Sequence, residues 1–386
     1  MSQLILKFVV PALALLLLAP RAGAARRSSV SRHDLRLAVN RLQRWYNEDT
    51  GLWDSGGWWN AANSLTVLVD SSRVLHTSRY LSAITHTYSE YAPIQFLKNK
   101  FYDDEGWWGL AWVDAYDLTG DRNYLQTAAA IFSDMTTGWD DTCGGGLWWS
   151  KDRKYKNAIA NELFLSLAAH FANRASDPAQ RTAYANWATR EWTWFQNSGM
   201  IESDQLVSDG LDPQCRDNHG KKWTYNQGVV LGALAELSRL PDQSGAVKLA
   251  EPIADAAIAK LADSNLILHE TCEPECGGDG TQFKGIFVRN LALLYLRDPN
   301  PGYAGFIAAN AESVPKNAQA PDHSLGLVWS GPPGATTAVS QTSAIDALVA
   351  ALSIRGKTIV SEGRKQARQE TQKGSKVSLQ KEPSGI

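Results

Sequence analysis

Residues 137–169 read TGWDDTCGGGLWWSKDRKYKNAIANELFLSLAA and join a loop rich in glycine and tryptophan to a helix with few polar positions. A helix that is apolar around most of its circumference is buried on all sides. The same unit recurs along the chain as a long loop, an apolar helix, a short turn and a more polar helix. Because a short turn makes neighbouring helices antiparallel, each unit predicts a helical hairpin.

The chain contains twelve predicted helices and no convincing run of strand alternation. Repeated hairpins stack into an open solenoid or close into a ring. Since six apolar helices alternate with six more polar ones, we predict an all-α (α/α)6 barrel of six inner and six outer helices. The long loops then meet at one end, which we predict to be the functional face. The predicted helices lie near residues 34–46, 58–76, 78–91, 105–118, 121–135, 157–174, 178–196, 225–239, 243–262, 282–296, 302–313 and 340–353.

The two ends of the chain differ from this scheme. Residues 1–24 predict a cleaved signal peptide, with a basic start, an apolar run too short to span a bilayer and a small-residue cleavage site. Residues 354–386 hold eight Lys or Arg against three Glu, which is typical of a disordered basic tail. We therefore expect a barrel domain at 25–353 in a secreted protein. The tail lacks the hydrophobic end of a lipid-anchor signal, so no membrane anchor is expected.

Composition narrows the class of ligand. A formal net charge of −2 gives no electrostatic reason for a nucleic-acid partner. The 15 tryptophans among 386 residues favour a carbohydrate or another flat ligand, because indole offers a flat apolar face with a polar N–H edge. Zinc is disfavoured, since the chain has no Cys-x-x-Cys pair and its seven His are scattered. We expect a monomer without cofactor or metal.

Four cysteines in a secreted chain predict two disulfides, because the compartment is oxidising and the number is even. The sequence alone permits three connectivities. We favour Cys143–Cys215 together with Cys272–Cys276.

Every long loop brings at least one aspartate to the predicted functional face, and Asp140-Asp141 is the strongest pair. Two carboxyl groups beside an aromatic surface suffice for glycosidic bond cleavage, since one donates a proton and the other attacks or activates water. The three glycines at 144–146 permit positive φ, which would let both side chains face the cleft. The competing interpretation is that these aspartates cap helices, a position that aspartate favours.

A second pair, Asp103-Asp104, also precedes two tryptophans but lacks a glycine run. We therefore assign this pair to the binding of substrate hydroxyls. Glu162 and Arg289 fall inside predicted buried helices. We expect them to pair with each other or with other polar groups, because an isolated buried charge is costly.

The chain resembles glycoside hydrolase family 76, the endo-α-1,6-mannanases, through blocks that span about the middle half of its length. The resemblance implies an (α/α)6 barrel and retaining hydrolysis of the α-1,6-mannan backbone. It also implies that Asp140 is the nucleophile and Asp141 the acid/base. The matching blocks are 101–121, 137–169, 191–201, 222–234 and 267–291, among which the WDDTCGGG segment is very specific.

The expected substrate is therefore α-1,6-linked mannan or mannooligosaccharide, cleaved within the chain. One alternative is a cell-wall transglycosidase that acts on the mannose-containing glycan of lipid-anchored wall proteins. Another is a non-catalytic mannan-binding protein. Several residues in the matching blocks are candidates for sugar contacts: Asp103, Asp104, Trp107, Tyr225, Asn226, Asp279 and Lys284.

Overall fold

The structure is a computed structural model that describes residues 28–92 and 94–355. The predicted signal peptide and the part of the predicted tail after residue 355 lie outside the described residues. Across the described ranges, no helix combines the length and the hydropathy that a membrane span requires.

The described residues form twelve α-helices, which confirms the predicted number and order. A short antiparallel hairpin of β1 (Tyr46–Asn47) and β2 (Leu52–Trp53) accompanies them. The helices are α1 (Arg32–Leu42), α2 (Trp58–Leu75), α3 (Leu81–Tyr91), α4 (Tyr102–Thr119), α5 (Arg122–Thr136), α6 (Ala158–Arg174), α7 (Pro178–Asn197), α8 (Thr224–Leu237), α9 (Ala246–Leu261), α10 (Phe283–Arg297), α11 (Pro301–Asn317) and α12, whose described part covers 338–355.

The even-numbered helices form the inner ring and the odd-numbered helices the outer ring. Helix α4 packs on α2 and α6, and α8 packs on α6 and α10. Helix α12 closes the ring: Ser64 Oγ of α2 lies 2.8 Å from Thr342 Oγ1. On the other side of α12, the Gly285 N–H of α10 donates to Ser343 Oγ over 2.9 Å. The predicted (α/α)6 barrel is confirmed.

Two glycines allow inner helices to approach closely. A Cβ atom at Gly228 of α8 would lie 2.5 Å from the Cα atom of Phe287 in α10. One at Gly285 of α10 would lie 2.4 Å from the backbone oxygen of Ser343 in α12. Since a backbone atom moves only with its helix, these contacts fix the spacing of α8, α10 and α12.

The short turns lie at the end of the barrel opposite the long loops, and an outer helix begins after each of them. Asp121, Asp177 and Asn300 each accept a hydrogen bond from a backbone N–H in the first turn of α5, α7 and α11. Pro178 and Pro301 begin α7 and α11, where a backbone N–H would have no partner within the helix. The polar residues of these short turns therefore act as helix caps.

Five helix boundaries differ from the prediction by three or four residues, and two of them have a clear local cause. Helix α1 ends at Leu42 rather than near residue 46, because the chain turns into β1, where the Tyr46 ring packs on Trp53. Helix α4 begins at Tyr102 rather than near residue 105, so the 103–104 aspartate pair lies in its first turn and not in a loop. Carboxylates in a first turn face the positive end of the helix, which favours the earlier start.

Both favoured disulfides, Cys143–Cys215 and Cys272–Cys276, are present. The first joins the loop after α5 to the loop after α7, and both loops lie at the same end of the barrel. Its cysteines are 72 residues apart in the sequence. In the chain-entropy description, closing a loop of that length stabilises the fold by about 4 kcal/mol.

The barrel axis is polar towards the short-turn end. A cavity of about 420 Å³ there is lined in part by charged side chains of the inner helices. Arg289 of α10 donates to Asp346 of α12 over 3.1 Å and to Asn63 of α2 over 2.6 Å. The expected pairing of Glu162 is therefore wrong. The Arg289 guanidinium bonds Asp346 and Asn63 instead. Neither carboxyl oxygen of Glu162 has a hydrogen-bond partner within the described ranges.

Substitution Gly285→Ala is expected to lower the free energy of unfolding by about 1–3 kcal/mol, because the new methyl group overlaps the α12 backbone. The matched control is Gly305→Ala in outer helix α11, where a Cβ atom would meet nothing within 4 Å. That change should be neutral or add up to about 1 kcal/mol of stability. Urea unfolding followed by circular dichroism measures both, and equal stability of the two variants would contradict the close ring contact.

Candidate active site

The inner helices begin at the long-loop end of the barrel, and Asp103 and Asp104 lie there in the first turn of α4. Asp103 Oδ2 accepts a hydrogen bond of 3.0 Å from Trp149 Nε1. Asp104 Oδ2 accepts one of 2.6 Å from Asn99 Nδ2. Asp103 Oδ1 is buried and has no hydrogen-bond partner in the described part of the chain. Both carboxyls are therefore held in place, and Asp103 keeps one oxygen uncommitted to protein.

An aromatic surface stands beside this pair, since Trp107 follows Asp103 by one turn on the same face of α4. The Tyr225 ring stacks on Phe283, with ring centres 3.8 Å apart, and on Trp107 at 6.4 Å. Trp59 of α2 extends the row, 5.6 Å from Trp107. Flat aromatic faces with polar groups at their edge suit a sugar ring, which has both C–H and hydroxyl surfaces.

Burial raises the pKa of both carboxyls. Burial, followed by the charge on Asp104, raises the pKa of Asp103 to about 8. Burial raises the pKa of Asp104 to about 6, and the negative charge of Asp279 adds to this effect. Asp279 itself accepts a hydrogen bond of 2.8 Å from Trp59 Nε1. Because neighbouring carboxyls titrate together, the pair holds one proton between these two pKa values.

Asp140 is bonded to the buried ammonium of Lys156. The Lys156 Nζ atom lies 3.0 Å from Asp140 Oδ1 and 2.7–3.2 Å from four backbone oxygens of residues 140–146. Asp140 Oδ2 accepts a hydrogen bond of 2.7 Å from Trp148 Nε1. Burial alone would raise the pKa of Asp140, but the bonds from Trp148 and Lys156 outweigh it and hold that pKa below its usual value. Asp140 is thus the ionised partner of a structural ammonium.

Asp141 faces solvent beside the outer ring. Its side chain is 94% exposed, and the nearest Arg190 nitrogen of α7 lies 3.5 Å away. The Arg190 guanidinium in turn stacks on Trp139, 3.5 Å from the ring centre. The expectation that Asp140 and Asp141 project together into one groove is therefore wrong.

The path of the loop explains this difference. Helix α5 is an outer helix that ends at Thr136, so the following residues start at the outer ring and reach the inner ring only at α6. The glycines at 144–146 do adopt positive φ, at +75°, +142° and +89°. A Cβ atom at Gly146 would lie 2.3 Å from the ring of Trp194 in α7. The glycine run fits the loop against α7 and turns carbonyl oxygens to Lys156, and it does not free carboxylates for the cleft.

The other predicted sugar contacts differ in their accessibility. Trp107, Tyr225 and Asp279 surround the 103–104 pair as described above. Lys284 is fully buried, and its Nζ contacts a Glu273 carboxylate oxygen and donates to Leu327 O over 2.8 Å. This ammonium joins two loops and does not reach the groove, which corrects the expected contact. Asn226 is also fully buried, and its side-chain amide has no partner within the described ranges.

The predicted sugar contacts omitted three side chains of the site, Trp59, Trp149 and Phe283, although the two tryptophans belong to Trp-Trp pairs in or just beyond the long loops. Trp59 and Phe283 stand in the first turn of inner helices α2 and α10. Their position at helix starts was a usable signal, because all inner helices begin at the same end. The contact between Trp149 and Asp103 joins segments 46 residues apart, and no local pattern predicts it.

One cluster within the described ranges has the geometry of a metal site. Glu202, Asp217 and His219 each offer a ligand atom, and these atoms lie within 4.8 Å of one another. The Lys222 ammonium contacts the same Glu202 carboxylate. The positive charge in this cluster is therefore already supplied by the protein.

The fold and the sequence of this helical double ring both match known proteins. The sequence profile of glycosyl hydrolase family 76 matches residues 34–362, which is most of the chain. The chain belongs to this family. One relative, the mannan endo-1,6-α-mannosidase DFG5 of Saccharomyces cerevisiae, is 26% identical over 302 residues. That match covers 70% of this chain and 65% of DFG5. Across four yeast relatives the chain spans 57–65% of their length.

Solved structures of similar proteins share the fold. The Lin0763 protein from Listeria innocua has a TM-score of 0.76 and 26% identity, over 84% of this chain and 98% of that chain. The α-1,6-mannanase GH76A of Salegentibacter sp. HEL1_6 has a TM-score of 0.75 and 23% identity, over 84% and 99%. The latter structure is an inactive variant, with two consecutive aspartates replaced by asparagine, in complex with α-1,6-mannotriose.

Substitution Lys156→Met is expected to lower the free energy of unfolding by about 3–5 kcal/mol, since the Asp140 carboxylate and the loop carbonyls lose their cation. The exposed Lys154 offers a matched control two residues away. Lys154→Met should change stability by less than about 0.5 kcal/mol. Both are measured by urea unfolding with tryptophan fluorescence. Wild-type stability in Lys156→Met would show that the ammonium does not organise the loop.

Proposed function

We propose that this protein is a secreted retaining glycosidase that cleaves α-1,6-mannosidic bonds within mannan, with Asp103 and Asp104 as the reacting carboxyls. Membership of family 76 supports glycosidase chemistry. The name of DFG5 and the ligand of the Salegentibacter mannanase support the α-1,6-mannose linkage. The observation that carries the residue assignment is that the 103–104 pair, unlike 140–141, shares the barrel mouth with the aromatic row.

The protonation of this pair suits a double displacement. Between pKa values of about 6 and about 8, one carboxyl is ionised while the other holds a proton. The ionised carboxyl attacks the anomeric carbon as the protonated one gives its proton to the departing glycosidic oxygen. Water then displaces the enzyme carboxyl from the sugar and gives its proton to the second carboxyl, which acts as base. The pair returns to its starting state.

The groups around the pair suit a neutral polyol. Trp59 and Tyr225, which are half-buried, offer ring faces to the C–H side of a mannose unit, and the buried Trp107 packs against both of them. Asp279, held by Trp59, offers an acceptor for sugar hydroxyls. The proposed substrate is a polymer, and we infer that its chain crosses the long-loop end of the barrel without needing a free end.

Consecutive reacting aspartates are supported by the Salegentibacter mannanase, in which an inactive variant carries asparagine at two consecutive aspartate positions. This chain has two such pairs, at 103–104 and 140–141. In the second pair, Asp140 bonds the Lys156 ammonium and Asp141 faces solvent. We therefore assign the reaction to the first pair.

Secretion is supported by the two disulfides, which persist in oxidising compartments. The predicted signal at 1–24 agrees with this location. Extracellular mannan is an accessible substrate there.

Substitutions Asp103→Asn and Asp104→Asn should each lower kcat by at least about 10²-fold, because each removes a nucleophile or a proton carrier while conserving size. Asp141→Asn should leave kcat within about twofold of wild type, as expected for an exposed side chain. Release of reducing ends from unbranched α-1,6-mannan is the measurement. Full activity in Asp103→Asn together with loss of activity in Asp141→Asn would show that 140–141 is the reacting pair.

The length of the products separates hydrolysis from transfer. With α-1,6-mannooligosaccharides of one defined length, the hydrolase should yield shorter products that keep the α configuration at the new reducing end. Accumulation of longer oligosaccharides would instead establish a transglycosidase that uses the same carboxyls.

The same pKa values predict a bell-shaped pH profile of kcat/KM. Below about 6 both carboxyls are protonated and no nucleophile is present, whereas above about 8 both are ionised and no acid is present. Activity should therefore rise with pH through the lower value and fall through the upper one. Initial rates at constant ionic strength measure this, with circular dichroism at each pH as a control for unfolding. An activity that stays level through both values would contradict a shared proton.

A further inference from the structure

Trp148 and Trp149 are consecutive, yet their indole N–H groups serve different carboxyls. Trp148 Nε1 donates to Asp140 Oδ2 over 2.7 Å, whereas Trp149 Nε1 donates to Asp103 Oδ2 over 3.0 Å. The loop between α5 and α6 therefore contacts both aspartate pairs, each through one tryptophan.

The Trp149 indole is held firmly in this position. Its ring packs on Phe101, with ring centres 4.7 Å apart, and on the edge of Tyr155 at 6.2 Å. Its backbone N–H donates to Tyr155 O over 2.8 Å, and its carbonyl oxygen accepts from the Tyr102 N–H over 2.9 Å. Two ring contacts and two backbone hydrogen bonds therefore fix the direction of the indole N–H.

A second loop stabilises this arrangement through hydrogen bonds to the Tyr155 hydroxyl. The Tyr155 hydroxyl donates to Asp209 Oδ2 over 2.6 Å and accepts from Asn218 Nδ2 over 2.9 Å. Asp209 and Asn218 belong to the loop between α7 and α8, which the Cys143–Cys215 disulfide joins to the Trp149 loop. Two loops and one cross-link therefore support a single hydrogen bond to Asp103.

We propose that Trp149 is a positioning residue of the glycosidase reaction, whose indole N–H orients the Asp103 carboxyl and stabilises its ionised form. This inference rests on the proposed function, because it takes Asp103 as a reacting group. Trp148 has the same chemistry but is directed at Asp140, so the chain contains its own matched control.

The charges around Asp103 show why this donor matters. Burial and the charge on Asp104 raise the pKa of Asp103, and the Trp149 hydrogen bond acts in the opposite direction. Loss of the donor therefore moves the pKa of Asp103 further upward. Burial, followed by the charges of Asp103, Asp209, Glu162 and Asp279, also raises the pKa of the nearby Tyr225 hydroxyl.

The test compares Trp149→Phe with Trp148→Phe in the full chain, using kcat, KM and pH profiles on α-1,6-mannooligosaccharides. Phenylalanine keeps an aromatic ring but cannot donate. Trp149→Phe should lower kcat roughly 10- to 100-fold, as expected for the loss of a hydrogen bond to a charged group, with a smaller change in KM. The upper limb of its pH profile, which reports the pKa of Asp103, should move to higher pH by about one unit, while the lower limb stays in place. Trp148→Phe should keep the wild-type profile even if its thermal midpoint falls.

The outcomes separate this inference from the function on which it rests. If Asp103→Asn is inactive but Trp149→Phe keeps the wild-type pH profile, the positioning role is refuted and the catalytic pair stands. If Trp148→Phe alone shifts the profile, Asp140 is the reacting group and both proposals fail. A fall in kcat of Trp149→Phe without any pH shift would also overturn the proposal, since a merely structural contact acts in that way.

Discussion

The buried ammonium of Lys156 is the interaction on which the long-loop end of the barrel depends. Its side chain is 1% exposed, and Nζ lies within hydrogen-bonding distance of five oxygens from residues 140–146. Burying a charge is unfavourable unless nearby groups replace its water. One carboxylate and four backbone oxygens do so here, and the loop brings them together only along one path. That path carries Trp149 to Asp103 and leaves Asp141 outside.

The ring of helices was predictable because its determinants are local. Capping residues such as Asp177 and Asn300, each followed by proline, mark the helix starts, and the apolar stretches of α8 and α10 mark burial. The α4 start was misplaced, because an acidic first turn resembles a polar loop when only composition is considered. The presence of two disulfides was predictable from the oxidising compartment and the even number of cysteines. Which cysteines are joined, among three possible connectivities, is confirmed only by the folded structure.

The candidate site was only partly predictable, because it depends on which long-range partner each side chain finds. The glycines at 144–146 suggested room for a reacting pair, yet the carbonyl oxygens of Gly145 and Gly146 accept hydrogen bonds from Lys156. The missing side chains of these two glycines make room for Trp194. Helix order contained a better signal. The 103–104 pair begins an inner helix, whereas 140–141 follow an outer one, so the first pair belongs at the mouth. No local signal connects Trp149 with Asp103, since that contact requires the folded ring.

Oxygen-rich loops in many proteins gather around calcium, which is exchanged with the surroundings. In this loop the cation is tethered to the chain by four methylene groups, so its local concentration is set by the fold and does not depend on supply from outside. A chelating medium or one poor in divalent ions cannot empty the position. The chain therefore supplies its own cation at the mouth of the barrel. Formation of this loop does not depend on the ions in the medium.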